Sequence, residues 1–241
     1  MSNQAAASQC GRMFGTSMAA PPTLIDLSHT VAHGLVTYKG LPAPIICDYL
    51  SREASRKFYA PGTEFQIGKI EMVANTGTYI DSPFHRYADG KDLSELELRK
   101  LADLPSIKIS AKISAQHRPA IDVSCFPRGK DLAGKAVLVE TNWSRHWNTP
   151  QYFEGHPFLT EDAAQYLADS AVALVGIDSH NIDDVQDLRR PVHSILLGQE
   201  IPIVEHMTNL AALPQENFRF FAVPVKVKGF GTFPVRAFAR I

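Results

Sequence analysis

"LTEDAAQYLADSAVALVGIDSHNIDD", Leu159 to Asp184, decides the architecture, because a helix and a buried strand follow one another inside it. Thr160 is a good N-cap and Asp162 sits in the first turn, where an acid complements the helix dipole. "AVALVGI" is then an apolar run with the form of a buried strand, and it ends in a polar tip carrying Asp178, Ser179, His180 and Asp183. Upstream, "KAVLVETNW" (Lys135–Trp143) has the same form, a central strand whose tip bears side chains. Downstream, "RPVHSILLGQEIPIVEHMTNLAAL" (Arg190–Leu213) predicts a short helix closed by Gly198, a strand, and a polar bend.

Further out, "TLIDLSH" from Thr23, "FQIGKIEMVA" from Phe65 and "SIKISAKIS" from Ser106 are strand-like. "VAHGLVTYKGLPAPI" (Val31–Ile45) is too rich in Gly and Pro for a helix. "DLSELELRKLADL" (Asp92–Leu104) places Leu93, Leu96, Leu98 and Leu101 near a helical stripe, with Pro105 as its stop. The C-terminal "FRFFAVPVKVKGFGTFPVRAFARI" predicts strand, turn and strand. Strand and helix alternate in the middle while strands crowd the ends. The expectation is one α/β domain over 23–241, with mixed β-sheets and flanking helices, after a disordered tail over 1–22.

Composition excludes several classes. Lys plus Arg number 24 against 25 Asp plus Glu, so no basic face is available to neutralise phosphates and nucleic acid is not expected as a partner. Arg52, Arg56 and Lys57 are interrupted by Glu53 and read as a solvated face. The cysteines, Cys10, Cys47 and Cys125, are odd in number and lack C-x-x-C spacing, which fits a reducing compartment. No run approaches the eighteen or so apolar residues of a membrane helix, and the first residues lack the pattern of a signal peptide. The cytoplasm is the expected location.

The chemistry gathers in "NTGTYIDSPFH", Asn75 to His85. A straight strand would separate its ends by roughly 33 Å, so convergence needs a bend. Pro83 supplies one: it disfavours helix at Ser82 and suits the first helical position, so Ser82 would cap a turn carrying His85. Tyr79 and Asp81 would then share one side of a strand end, with His85 above them. The plainer reading is a helix cap and a hydrogen-bonded histidine. Glu205 is more informative, because alternation in "IPIVEHM" sets it on one face with Ile201 and Ile203. A carboxylate there needs a partner, for which a metal or a histidine such as His193 would serve; an edge strand with a charged end is the alternative.

These blocks, with "GID" at Gly176–Asp178 and "HSILLGQEIPIVEHMTNL" from His193 to Leu210, resemble the metal-dependent cyclase family, which includes bacterial kynurenine formamidase and isatin hydrolase. The resemblance runs from Ile25 to Pro214 and implies a cyclase-like fold of the swivelling β/β/α type. The family string His-x-Gly-Thr-His-x-Asp-x-Pro-x-His stands here with Asn75 and Tyr79 in place of the two metal-binding histidines. Asp81 falls on the shared metal-ligand aspartate, His85 on the acid/base histidine, and His193 and Glu205 on the second metal position. The resemblance therefore implies one divalent ion, zinc or manganese, held by Asp81, His193 and Glu205. His180 and Asn75 are candidates for a further ligand or a substrate contact.

The implied activity is a metal-dependent hydrolase opening an aryl formamide, lactam or lactone. His85 would move the proton and Tyr79 would donate to the oxyanion. Phe84, Trp143, Trp147 and Phe153 are the aromatics expected to stack on a planar small-molecule substrate. A dehydratase, lyase or isomerase of a small organic acid, or a non-catalytic relic of the fold, are the alternatives. The family also implies a homo-oligomer, dimer or tetramer.

Overall fold

The computed structural model describes residues 22–111 and 119–241. The expected N-terminal tail lies outside them apart from residue 22, as does the end of the strand expected from Ser106. In chain order the elements are β1 (Leu24–Asp26), β2 (Ile45–Leu50), α1 (Arg52–Ser55), β3 (Ile67–Glu71), β4 (Tyr79–Asp81), β5 (Leu104–Ser110), β6 (Ala120–Ile121) and β7 (Ala136–Glu140). There follow β8 (Phe158–Leu159), α2 (Glu161–Asp169), β9 (Leu174–Ile177), α3 (Pro191–Gly198), β10 (Ile203–Glu205), β11 (Phe218–Phe221), β12 (Thr232–Pro234) and β13 (Phe238–Arg240).

Nine strands form one mixed sheet in the order β1-β13-β11-β5-β7-β9-β10-β4-β12. The centre, β5-β7-β9-β10, is parallel, and both wings are antiparallel. Strands buried on both faces must be apolar throughout, which is why β7 and β9 show no polar alternation. Val137, Val139, Val175 and Ile177 face the core shared with α2 and α3, while Ala136, Leu138 and Leu174 face the opposite core with Phe218 and Phe220. Gly176 between them is a packing necessity. A Cβ there would stand 2.6 Å from Met207 Sδ and 2.8 Å from Leu138 Cδ2.

Helix α2 forms where expected, with the Thr160 hydroxyl accepting from the Ala163 N–H. Two expectations are corrected. The leucine stripe from Leu93 does not form an α-helix; only Leu98–Lys100 makes a single 3₁₀ turn. Asp92 Oδ1 takes both the N–H and the hydroxyl of Ser94, and Asp92 Oδ2 takes the Gly229 N–H, offering the backbone local bonds that compete with a helix. The C-terminal segment is three strands rather than a hairpin, with β12 pairing β4 at the far edge. The strand expected from Phe65 forms as β3, which among the described residues pairs with β2 in a separate ribbon. Among the described residues no helix is long and apolar enough to cross a membrane.

Candidate active site

The register of the sheet builds the site. In the antiparallel pair of β10 and β4, Glu205 stands opposite Tyr79 and Ile203 opposite Asp81; β12 sets Thr232 opposite Asp81. Opposed residues share a face and alternate residues return to it, so Tyr79, Asp81, Glu205 and Thr232 all project to the side covered by α3. Ile80 and Val204, between them, enter the other core. Asp81 and Glu205 are fully buried, each 0% exposed. Helix α3 brings His193 over them, with Nε2 3.7 Å from Asp81 Oδ2 and 3.8 Å from Glu205 Oε1.

Asp183 fixes that imidazole. Its Oδ2 accepts from His193 Nδ1 at 2.6 Å and from the His193 backbone N–H at 3.1 Å, while Oδ1 accepts from the Val192 N–H at 2.8 Å. One carboxylate therefore caps α3 and aims His193 Nε2 at Asp81 and Glu205. Burial opposes a charged His193, but the Asp183 bond and the charges of Asp81 and Glu205 outweigh it and raise its pKa to about 10. Burial raises the Glu205 pKa, with His193 pulling it down and Asp81 pushing it up.

Tyr79 donates its phenol proton to Glu205 Oε2 at 2.6 Å, and the Ile182 N–H donates to Oε1 at 2.6 Å. Burial, then the neighbouring Glu205 charge, raises the phenol pKa well above its ordinary value, so Tyr79 stays protonated and serves as a donor, not a ligand. Asn75 lies beside the same phenol and lines the cleft with it. The Tyr79 proton is thus directed at Glu205, with Tyr38 Oη 3.3 Å away.

His85 is held differently from the expectation. Pro83–His85 is one 3₁₀ turn, Ser82 makes no side-chain cap bond, and no helix dipole acts on the imidazole. Instead the Thr232 hydroxyl donates to Asp81 Oδ1, a carboxylate able only to accept. Its one proton being used, Thr232 Oγ1 must accept from His85 Nδ1 at 2.9 Å. Neutral His85 therefore carries its proton on Nδ1 and leaves Nε2 free. Gly231 makes this possible, since a Cβ there would lie 2.5 Å from the His85 nitrogen.

These groups open into a cleft of about 300 Å³. Asn75, Tyr79, His85, His193 and Glu205 line it together with Tyr38, Leu41, Arg86, Asn181 and Arg190. The expected aromatics lie elsewhere. Trp147 stacks on His29 at 4.0 Å between ring centroids, and Trp143 Nε1 donates to the Tyr152 carbonyl at 3.0 Å. Phe84 is half-buried in the turn between Pro83 and His85, and Phe153 packs 5.4 Å from His180. His180 sits in this second aromatic cluster with Tyr152 and His206, where burial lowers its pKa to about 3. Asp178, in the polar tip that follows β9, does not line the cleft but turns to the tip of β7. There it accepts from the Thr141 N–H and hydroxyl and from the Asn142 N–H.

The donor set fits a divalent ion. Two ligands at about 2.1 Å from one ion can stand at most about 4.2 Å apart, and His193 Nε2 meets both carboxylates within that limit. Asp81 Oδ2 is buried without a hydrogen-bond partner among the described residues. Asp81, His85 and His193 are the group whose ligand atoms all lie within 4.8 Å of one another among the described residues; Glu205 meets His193 Nε2 at 3.8 Å but stands outside that group.

A family model described as putative cyclase matches residues 25–184, well over half of the chain. The chain belongs to the cyclase family. The matched stretch of this cyclase holds the Asn75–His85 motif, while His193 and Glu205 follow it. The cyclase is similar to the kynurenine formamidase of Bacillus cytotoxicus, 28% identical over 174 residues, which are 72% of this chain and 79% of that one. It is also similar to a structure from Bacillus stearothermophilus described as a predicted metal-dependent hydrolase, with 25% identity, a TM-score of 0.71, and 92% and 99% of the two chains covered. Isatin hydrolase A of Labrenzia aggregata shares the fold, with a TM-score of 0.78 over 91% and 94% of the chains at 18% identity.

Proposed function

We propose that this cyclase is a hydrolase acting on carbon–nitrogen bonds, and that it opens an aryl formamide or related lactam with the help of one divalent ion, zinc or manganese. The observation that carries the reading is the unpartnered, buried Asp81 Oδ2 beneath His193 Nε2, with His193, Glu205 and His85 lining the cleft above it. The similarity to a kynurenine formamidase supports the amide class.

Asp81, His193 and Glu205 would hold the ion, with Asp183 keeping Nε2 turned toward it, the outer carboxylate that fixes a ligating imidazole. A divalent ion at this point supplies Lewis acidity toward an amide carbonyl and toward water. His85, with Nδ1 donating to Thr232, takes a proton from water on Nε2 and returns it to the departing nitrogen. Tyr79, which with Asn75 replaces the imidazoles of the family motif, holds Glu205 in place by donating to Oε2. That substitution limits the chain to one ion.

Product analysis tests the reaction class. Incubation with N-formylkynurenine, isatin and simple lactones should release formate and the free arylamine, or the ring-opened acid. Conversion of a small hydroxy acid to an alkene or isomer, with the amides untouched, would replace this reading with a lyase or isomerase.

A further inference from the structure

We propose that Arg86 and Arg190 form an anion subsite at the mouth of the cleft, and that the substrate presents a carboxylate to it. The identity of the bond cut rests on the amide-hydrolase reading; the subsite does not.

Both guanidinium groups line the cleft that holds His85, His193 and Glu205. Each is steadied by one neutral contact. Arg86 Nε donates to Ser194 Oγ at 3.2 Å, and its guanidinium lies 5.2 Å from the Tyr87 ring centroid. Arg190 Nη1 donates to Asn181 Oδ1 at 3.2 Å, and the Asn181 amide is held in turn by donating to Tyr38 Oη at 2.7 Å. A guanidinium has five N–H donors, so each keeps the larger part of its fork for a ligand.

Neither arginine is spent on an internal acid. Among the described residues no carboxylate lies within ion-pair distance of either, whereas the adjacent Arg189 is paired with Asp187 at 2.7 Å and Glu161 at 3.7 Å. The acids below them, Asp81, Asp183 and Glu205, make their ion pairs with His85 and His193 alone. Two cations therefore line the cleft without an ion pair among the described residues, Asp187 feeling the Arg190 charge only at longer range.

The backbone holds Arg190 there at some expense. Its φ of 51° and ψ of 58° are left-handed, a conformation that strains a non-glycine residue. Pro191 begins α3 and disfavours the right-handed region for the residue before it, so Arg190 cannot join the helix and turns out toward the cleft.

The arrangement selects a carboxylate over a phosphate. A guanidinium edge takes a carboxylate or a phosphate with two parallel bonds, so the backbone amides decide between them. A phosphate site of this kind would add the free amides of the α3 N-terminus, but the Val192 and His193 N–H groups are already taken by Asp183. The substrate class is thus a formamide or lactam of an arylamine that also bears a carboxylate.

The test compares anthranilate with aniline, which differ by the carboxylate alone, in calorimetric titrations of the purified chain. The expected result is anthranilate binding at least about tenfold tighter, the scale of a charge-assisted pair. That ratio should fall toward one in the Arg86→Gln/Arg190→Gln double variant and be partly retained in Arg190→Lys, with aniline affinity unmoved. Equal binding of the two probes by the wild type, or a preference that survives the double variant, overturns the subsite. Turnover of N-formylanthranilate and formanilide separates the two readings. If neither is cut while the binding preference follows the arginines, the hydrolase reading fails and the subsite stands. If both are cut with equal kcat/KM, the subsite fails and the hydrolase reading stands.

Discussion

Asp183→Asn is the perturbation that the site geometry defines most closely. The native carboxylate accepts three N–H donors, from Val192, the His193 backbone and His193 Nδ1. An asparagine has one acceptor oxygen, so its NH₂ must face one set of these donors. If the oxygen keeps the Val192 N–H, the amide confronts His193 Nδ1–H. In the neutral imidazole that an ion requires, the conflict is relieved by placing the one remaining proton on Nε2, the atom aimed at Asp81 and Glu205. Loss of the charge-assisted bond is worth about 2 kcal/mol, equivalent to a fall in Tm of roughly 4–8 °C for a chain of this size. Nε2 carrying a proton cannot ligate, so affinity for zinc or manganese should fall about 10- to 100-fold, the usual effect of losing such an outer carboxylate. Thermal unfolding with chelator present measures the first effect, and titration of stripped protein with manganese measures the second. A lowered Tm with unchanged metal affinity would reduce Asp183 to a helix cap and refute the tautomer argument.

Other outcomes follow from the same contacts. His85→Ala should lower turnover by roughly 10²-fold while metal content stays the same; loss of the ion would make His85 a ligand in place of Glu205. Ion binding must displace the proton from His193, whose pKa is about 10, so apparent manganese affinity should rise close to tenfold per pH unit between about pH 6 and 8; a flat profile contradicts it. For stability, burial holds the His180 pKa at about 3 and His206 well below its ordinary value, so the unfolded chain takes up protons first as pH falls through 6.5. These two residues lower stability toward pH 4 by about 2.7 kcal/mol per pH unit, about half of it offset by Asp178, whose pKa burial raises to about 6 so that the folded chain takes up that proton first. His193 shifts the other way; its contribution is complete below 6.5 and lost only as pH rises through about 10, so it gives no relief in acid. Urea midpoints across pH 4–7 check the slope, and a stability independent of pH in that range contradicts it.

What the sequence revealed and what it hid have physical causes. The long apolar runs of β7 and β9 and the capped helix α2 were legible because burial on both faces and a Thr160 cap leave local signatures. Glu205 was legible because alternation set it among isoleucines, and it is buried as that pattern requires. The leucines from Leu93 misled, since hydrophobic spacing carries no record of a competing Asp92 side chain. Leu93 and Leu101 are buried without any helix, and Leu98 is 66% exposed. Thr232 was hidden by distance, 151 residues from the Asp81 it serves. Its only local trace is Gly231, needed because the backbone passes against His85. Tyr38, Asn181 and Arg190 come from irregular chain, where no period announces which side chain faces a cleft.

The most direct measurement of the central claim is formate release from N-formylkynurenine by the purified chain, followed through chelation and stepwise return of manganese or zinc. Release should be lost on stripping, recover in proportion to added ion, and reach its plateau at one equivalent per chain, because Asn75 and Tyr79 provide no imidazole for a second. Undiminished release from the stripped chain, a plateau at two equivalents, or no release at any loading would contradict it.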